Sequence, residues 1–505
     1  MDAKELAEKI RNYVVKEINK VMENKVKKII KRLEQIIKCS IEEGDYEKAM
    51  ACIETSARIQ YQYNQKYKDE YIEDSIIKLS KVQNLTKNVS SIVKCAVFYD
   101  GFGFDTRGLA LIYLKALADL NYRIIYIDAG RVGQSLSQIT NVVKSSNGKF
   151  HRIPINFSFQ ERLNKIRECL DSVGAEVSFF YTTPDDVCGA VAFYEQKGRM
   201  RRFQINLTDH AFWIGLKSFD YSIEFRDYGA SISYYYRGLN KEQLLKLPYY
   251  PSINYGTKFK GFDFAPKGKK VIFSGGQLYK TIDSQMTYYK LVEYIVKKHS
   301  DVIFWYAGSG DRNAFDKLKK SYPQQIYLTS EREDLYALLG HCYLYLNTYP
   351  ISGGLMLQYA AKAKCIPITL KREWDDDSGG ALINEEILGE TFTEFDDICR
   401  EIDHLLEDKN YWKAKRELLE NSVISEDEFR KQLGRILEQP ELCCIDHIEK
   451  VNTKMFRQTY RENISSSDID TAIATKRNKL LIRYFPICFL RRLFNLIIGN
   501  KKEIS

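Results

Sequence analysis

Three groups of residues in this chain have types and spacings that do chemistry. The first is the stretch 345–368, YLNTYPISGGLMLQYAAKAKCIPI. A short apolar strand there ends in a polar loop, and a glycine pair opens a small-residue helix. Backbone N–H groups at a helix N-terminus carry partial positive charge and suit a diphosphate. Glycine lets a phosphate come close to the backbone. Asn347, Thr348, Ser352, Gly353 and Gly354 are therefore candidate diphosphate and ribose contacts. The second group is FSGGQLYKTID (273–283), where Lys280 follows Gly275 and Gly276. An ammonium beside a departing nucleoside diphosphate stabilises charge that develops in the transition state. The two glycines fit close approach of a sugar or phosphate, and equally an ordinary strand-to-helix turn. Gly308 and Ser309 end the next strand and fit a loop under a nucleotide base or any turn of that kind.

The third group is NLTDHAFWIG (206–215). His210 sits at the carboxyl end of an expected strand and suits a general base for an acceptor hydroxyl, since histidine titrates near neutrality. Asp209 is its candidate orienting partner, and the alternative is a structural histidine that caps the loop. Asp105, in the glycine-rich turn GFGFDTRG (101–108), is a rival base or the N-cap of a helix over 107–120. That turn lacks the dinucleotide fingerprint because its third glycine is displaced to Gly108. The acidic run Asp375, Asp376 and Asp377 reads as a solvated loop. Eleven cysteines lack C-x-x-C spacing and read as reduced, mostly buried thiols, so neither a zinc site nor a catalytic metal is expected.

Positioning these residues requires open parallel sheets. KCAVFYD (94–100), YRIIYID (122–128), EVSFFY (176–181), FQINL (203–207) and FDYSIEF (219–225) are strand-like runs, with a helix over 109–120. A proline- and glycine-bearing connection spans 247–268. The alternation then restarts with strands at 269–276, 301–311, 326–330, 343–347 and 365–369 and helices at 283–299, 333–340 and through 393–438. The pattern predicts an α/β protein with two Rossmann-like domains facing across a cleft, whose ligands lie beyond the carboxyl ends of the strands. Residues 1–92 carry an apolar stripe at helical spacing and read as a separate helical domain. The expected division is 1–92 helical, 93–255 acceptor side, 256–440 donor side and 441–505 C-terminal extension. Net charge is +9 over 505 residues, too mild and too dispersed to imply a nucleic-acid partner.

Residues 476–502 hold basic positions 476, 477, 479, 483, 491, 492, 501 and 502, no acidic residue, and many large apolar ones between them. Arginines and Pro486 interrupt the run. It reads as a basic amphipathic segment at an anionic membrane surface, or as a terminal helix docked on the body. The N-terminus has no apolar signal segment, which with the cysteine usage points to a cytoplasmic protein.

Over about 94–440 the twin pattern resembles the GT-B glycosyltransferases. FSGGQLYKTID looks like the donor-site strand, loop and lysine of the O-GlcNAc transferases and bacterial adhesin glycosyltransferases. The resemblance implies a metal-independent glycosyltransferase without a cofactor, taking a nucleotide-sugar, UDP-linked, as co-substrate. It implies that Lys280 contacts the donor diphosphate and that a first-domain histidine lies at the cleft; in such a transferase domain closure would exclude water. The acceptor is a glycan, a lipid-linked molecule or a protein. Two departures stand out: no acidic residue occurs between Asn347 and Lys362, and Ala363-Lys364-Cys365 replaces the glycine before the last buried strand. They keep in play a non-catalytic partner subunit of a glycosyltransferase, and a sugar-nucleotide epimerase of the same fold is a further alternative.

Overall fold

The computed structural model describes residues 3–63, 65–81, 92–105, 108–130, 133, 135–171, 174–372, 391–454, 457–458, 466–474 and 476–502. The chain forms two compact units. One comprises Met1–Glu224, Tyr228–Lys246 and Leu433–Ser505, the other Phe225–Asp227 and Leu247–Gln432.

The first unit is built on β1 (Ile92–Asp100), β2 (Arg123–Asp128), β3 (Lys149–Arg152), β4 (Ala175–Tyr181), β5 (Arg201–Ile205), β6 (Tyr221–Glu224) and β7 (Leu244–Lys246). They form a seven-stranded sheet in the order β3-β2-β1-β4-β5-β6-β7, every neighbouring pair parallel. β1, β2 and β4 are continuous apolar runs because helices cover both faces of such a sheet. The edge strands β3 and β7 have no such run, and the sequence pattern does not announce them.

The N-terminal helices Ala3–Glu42, Tyr46–Tyr63 and Glu70–Ser80 fall within this unit, as does the C-terminal extension. Leu33, Ile37, Met50 and Ile53 share one hydrophobic core with Val97, Tyr99, Phe180 and Val191 of the sheet layer, and Ile469, Leu481 and Phe485 of the extension join it. Each such side chain contributes roughly 1.5–3 kcal/mol by leaving water. Polar groups stitch the same seam. Glu47 accepts the N–H groups of Phe159 and Gln160, both at 2.9 Å, and so caps the helix Phe159–Asp171.

Glu73 is buried and accepts the Gly215 N–H at 2.9 Å. Burial pushes its pKa up from 4.5 to about 7. A carboxyl raised in the fold contributes stability that is complete below its unfolded pKa and is lost as pH rises through the folded one. Glu73→Gln is therefore expected to gain on the wild type by up to about 3 kcal/mol between about pH 5 and about pH 8. Urea midpoints at the two pH values check this, and an identical difference at both would contradict it.

The second unit holds β8 (Lys270–Gln277), β9 (Val302–Ser309), β10 (Ile326–Thr329), β11 (Leu344–Leu346), β12 (Ile366–Leu370) and β13 (Thr391–Phe392). Their order is β10-β9-β8-β11-β12-β13, again all parallel. Between β7 and β8 the chain runs without helix or strand, as the prolines and glycines there predict. Helices Thr287–Lys298, Phe395–Glu407, Lys409–Leu418 and Glu426–Glu438 belong to the expected helical stretches.

Candidate functional site

In the second unit the strand order reverses between β8 and β11. An open parallel sheet parts its loops at such a point and leaves a crevice beyond the strand ends. β8 ends in Gly275-Gly276-Gln277 and passes into the 3-10 turn Leu278–Thr281, which carries Lys280. β11 ends at Leu346 and passes through Asn347–Ser352 to the helix Gly354–Lys362. The Ile351 N–H reaches the Lys280 carbonyl at 3.3 Å, so the two loops adjoin. Lys280 is half-buried, and burial lowers its pKa from 10.5. No hydrogen bond or ion pair engages its ammonium among the described residues. Among the described residues this cation has no counter-charge, and its loop adjoins the loop that leads to the helix Gly354–Lys362, whose first-turn N–H groups have no intrahelical acceptor.

The polar loop residues divide by role. Asn347 and Thr348 are buried. Asn347 Oδ1 accepts the N–H groups of Thr348 at 3.0 Å and Gly353 at 2.9 Å, while its amide donates to Thr369 Oγ1 at 3.2 Å. The Thr348 hydroxyl donates to the Ile351 carbonyl at 2.6 Å. These two side chains shape the loop from within rather than face a ligand, and the Gly353 N–H is already taken. Ser352 and Gly354 lie at the partly exposed mouth of the helix.

The glycines are explained by strand contact. A Cβ on Gly308 would lie 1.9 Å from the Gly276 carbonyl oxygen, and one on Gly275 would lie 2.9 Å from that of Ala307. Only Gly276, at φ +127° with open space around it, needs glycine for its own conformation. Ser309 accepts from Gln277 at 2.7 Å and donates to Glu331 at 2.9 Å. Glu331 thereby brings an exposed carboxylate to the carboxyl ends of β8, β9 and β10, an acidic group that the 347–362 segment lacks. Gln277 and Glu331 were not legible in sequence because three strands separate in the chain bring them together. The position of the missing glycine is held by Lys364, which itself adopts φ +57°.

In the first unit His210 follows β5. Its Nδ1 lies 3.3 Å from Asp209 Oδ1, and the ring is partly exposed while Asp209 is buried. A carboxylate at Nδ1 favours the proton there and leaves Nε2 as acceptor, the form a general base needs. The loop is fixed by Arg237, which the sequence does not signal. Its buried guanidinium donates to the carbonyls of Thr208 at 3.3 Å, Asp209 at 2.9 Å and Ala211 at 2.6 Å. The Trp213 ring lies 4.7 Å and the Tyr67 ring 5.5 Å from it. Burial pushes the Arg237 pKa down to about 10, so the cation persists at neutral pH.

Asp105 lies in the loop that follows β1. Its carboxylate accepts the N–H groups of Gln138 at 3.1 Å and Ile139 at 3.0 Å and caps the helix Ser137–Ser145, not the helix Ala110–Asp119 that follows it in sequence. Asp105→Ala is expected to cost about 1 kcal/mol of stability and to leave turnover unchanged. Thermal unfolding beside a rate assay checks both, and a loss of rate without loss of stability would restore Asp105 as a base.

Neither a family model nor a curated protein matches the sequence. Solved structures do match the fold. A mutant of the Thermobaculum terrenum O-GlcNAc transferase aligns at TM-score 0.50 and 13% identity over 87% of this chain and 83% of that one. A glycosyltransferase from Rickettsia africae ESF-5 aligns at TM-score 0.50 and 12% identity over 70% and 99%. The fold is GT-B-like. A putative UDP-N-acetylglucosamine 2-epimerase from Listeria monocytogenes also aligns, at TM-score 0.48 and 12% identity over 69% and 97%. Within the GT-B-like fold Lys280 belongs to the second sheet unit and His210 to the first, each beyond a strand's carboxyl end.

One further cluster, His299, Asp403 and Glu407, brings metal-ligand atom types together. His299 precedes β9, at the amino end of the sheet and away from the switch point. Asp403 already accepts from His299 Nε2 at 2.7 Å, Lys298 at 2.5 Å and Tyr294 at 2.6 Å. The acidic run 375–377 lies outside the described residues. No helix among the described residues is long and apolar enough to cross a membrane.

Proposed function

We propose that this chain is a glycosyltransferase that moves a sugar from a UDP-linked donor to a hydroxyl or amide of a glycan, lipid-linked or protein acceptor in the cytoplasm. One observation carries the reading: the half-buried Lys280 ammonium at the switch point of the second sheet has no hydrogen-bond or ion-pair partner among the described residues. A diphosphate there would supply a counter-charge that the described residues do not, and its negative charge grows as the glycosidic bond breaks. Lys280 and the first turn of the helix Gly354–Lys362 would hold the diphosphate in place of a divalent ion. His210, with Asp209 at Nδ1, would take the acceptor proton. The GT-B-like fold is no warrant for the activity, since folds host many chemistries; the site is.

The test is calorimetric titration of the full chain with UDP and UDP-sugars, followed by product analysis with labelled donor. Binding together with label on an added acceptor is expected, and chelation of divalent ions should leave the rate unchanged. Free epimer without transfer would assign epimerisation instead. No heat with any nucleotide would favour a non-catalytic partner.

A further inference from the structure

Over residues 487–494 the C-terminal helix Pro486–Lys502 carries large apolar side chains on the side turned to solvent as well as on the side turned to the protein. Cys488 is buried in the core of the first unit, preceded by Phe485, and Phe489 packs against that core. On the outer arc Ile487, Leu490, Leu493 and Phe494 are 62%, 65%, 57% and 62% exposed. A helix docked on a globular body normally turns polar residues outward, and a contiguous exposed apolar face marks an interaction surface.

The residues around this face decide what it meets. Arg483 and Arg491 are exposed on the same segment. The N-terminal helix Ala3–Glu42 borders a groove of about 530 Å³ beside it, lined by Val21, Lys28, Ile29, Ile487 and Arg491. Val21 is 68% exposed. The Arg32 guanidinium lies 5.6 Å from the Phe485 ring. Of the nearby acids, Asp470 is buried and pairs with Lys25 and Arg491, each at 3.4 Å, and Glu43 pairs with Lys48 at 3.7 Å. Large apolar side chains and cations from two helices therefore share one surface. A second copy of the chain would bring the same cations against them. A surface of phosphates with an apolar layer beneath matches both components.

We propose that this composite face seats the protein on an anionic lipid bilayer, with Ile487, Leu490, Leu493 and Phe494 in the headgroup boundary and Lys28, Arg32, Arg483 and Arg491 over the lipid phosphates. The inference is independent of the site chemistry above. It is tested by sedimenting the full chain with phosphatidylcholine vesicles, with and without phosphatidylglycerol. Binding about tenfold stronger to the anionic vesicles, and weakened by salt, is expected. Leu490→Asp with Phe494→Asp should remove it without changing the circular dichroism or melting temperature, because both side chains are exposed. Equal or absent sedimentation with the two vesicle types overturns the proposal. So does a concentration-dependent dimer in light scattering that the double variant dissolves, which would make the face a contact between copies.

Discussion

Lys280→Met is expected to lower turnover about 100- to 1,000-fold and to weaken UDP binding by about 1.5–3 kcal/mol, while making the unliganded protein more heat-stable. The two halves have one cause. Among the described residues the half-buried ammonium has no partner, so holding it charged costs energy that methionine, of similar length, does not incur. With the diphosphate bound, the same charge is neutralised and becomes an asset. Melting curves with and without UDP read both effects: the variant should begin higher and fail to rise. A variant that melts lower without nucleotide, or rises with UDP as the wild type does, would remove Lys280 from the donor site.

The second large effect is expected at His210. His210→Ala should reduce kcat by about 100- to 10,000-fold with donor affinity unchanged, since the residue lies in the other sheet unit. Asp209→Asn should give a smaller loss, because the amide can hold the ring without fixing the same tautomer. Arg237→Met acts through the loop backbone, so it should lower stability together with rate, whereas His210→Ala should lower rate alone. Steady-state kinetics beside urea unfolding separates these outcomes. If His210→Ala retains kcat, the acceptor is activated by another group.

The strands that carry the site are legible in the sequence for a physical reason. A parallel strand covered on both faces is an unbroken apolar run, and VIFSGG and DVIFWYAG show it plainly. β3, written KFHR, and the two-residue β13 are edge elements whose pairing needs no such run. The stripe on the N-terminal helices predicts a buried face. It cannot say that the face meets the sheet rather than another helix, because periodicity reports burial and not the partner. At the site, Lys280 is readable from its place after a glycine turn. Asn347 and Thr348 are harder. A polar residue in a loop suggests a ligand contact, yet a buried amide can as well serve the backbone groups that the loop leaves unpaired. Glu331 and Gln277 leave no trace in linear spacing.

The core shared by the N-terminal helices and the first sheet has a practical consequence. A fragment beginning at Ile92 would present Val97, Tyr99, Phe180 and Val191 to water. It would also lose the Glu47 cap on Phe159 and the Glu73 acceptor for Gly215. Such a truncated chain would aggregate rather than fold. The leading helices are a lid on the sheet, inseparable from it, and not a module that can be exchanged among proteins of otherwise similar fold.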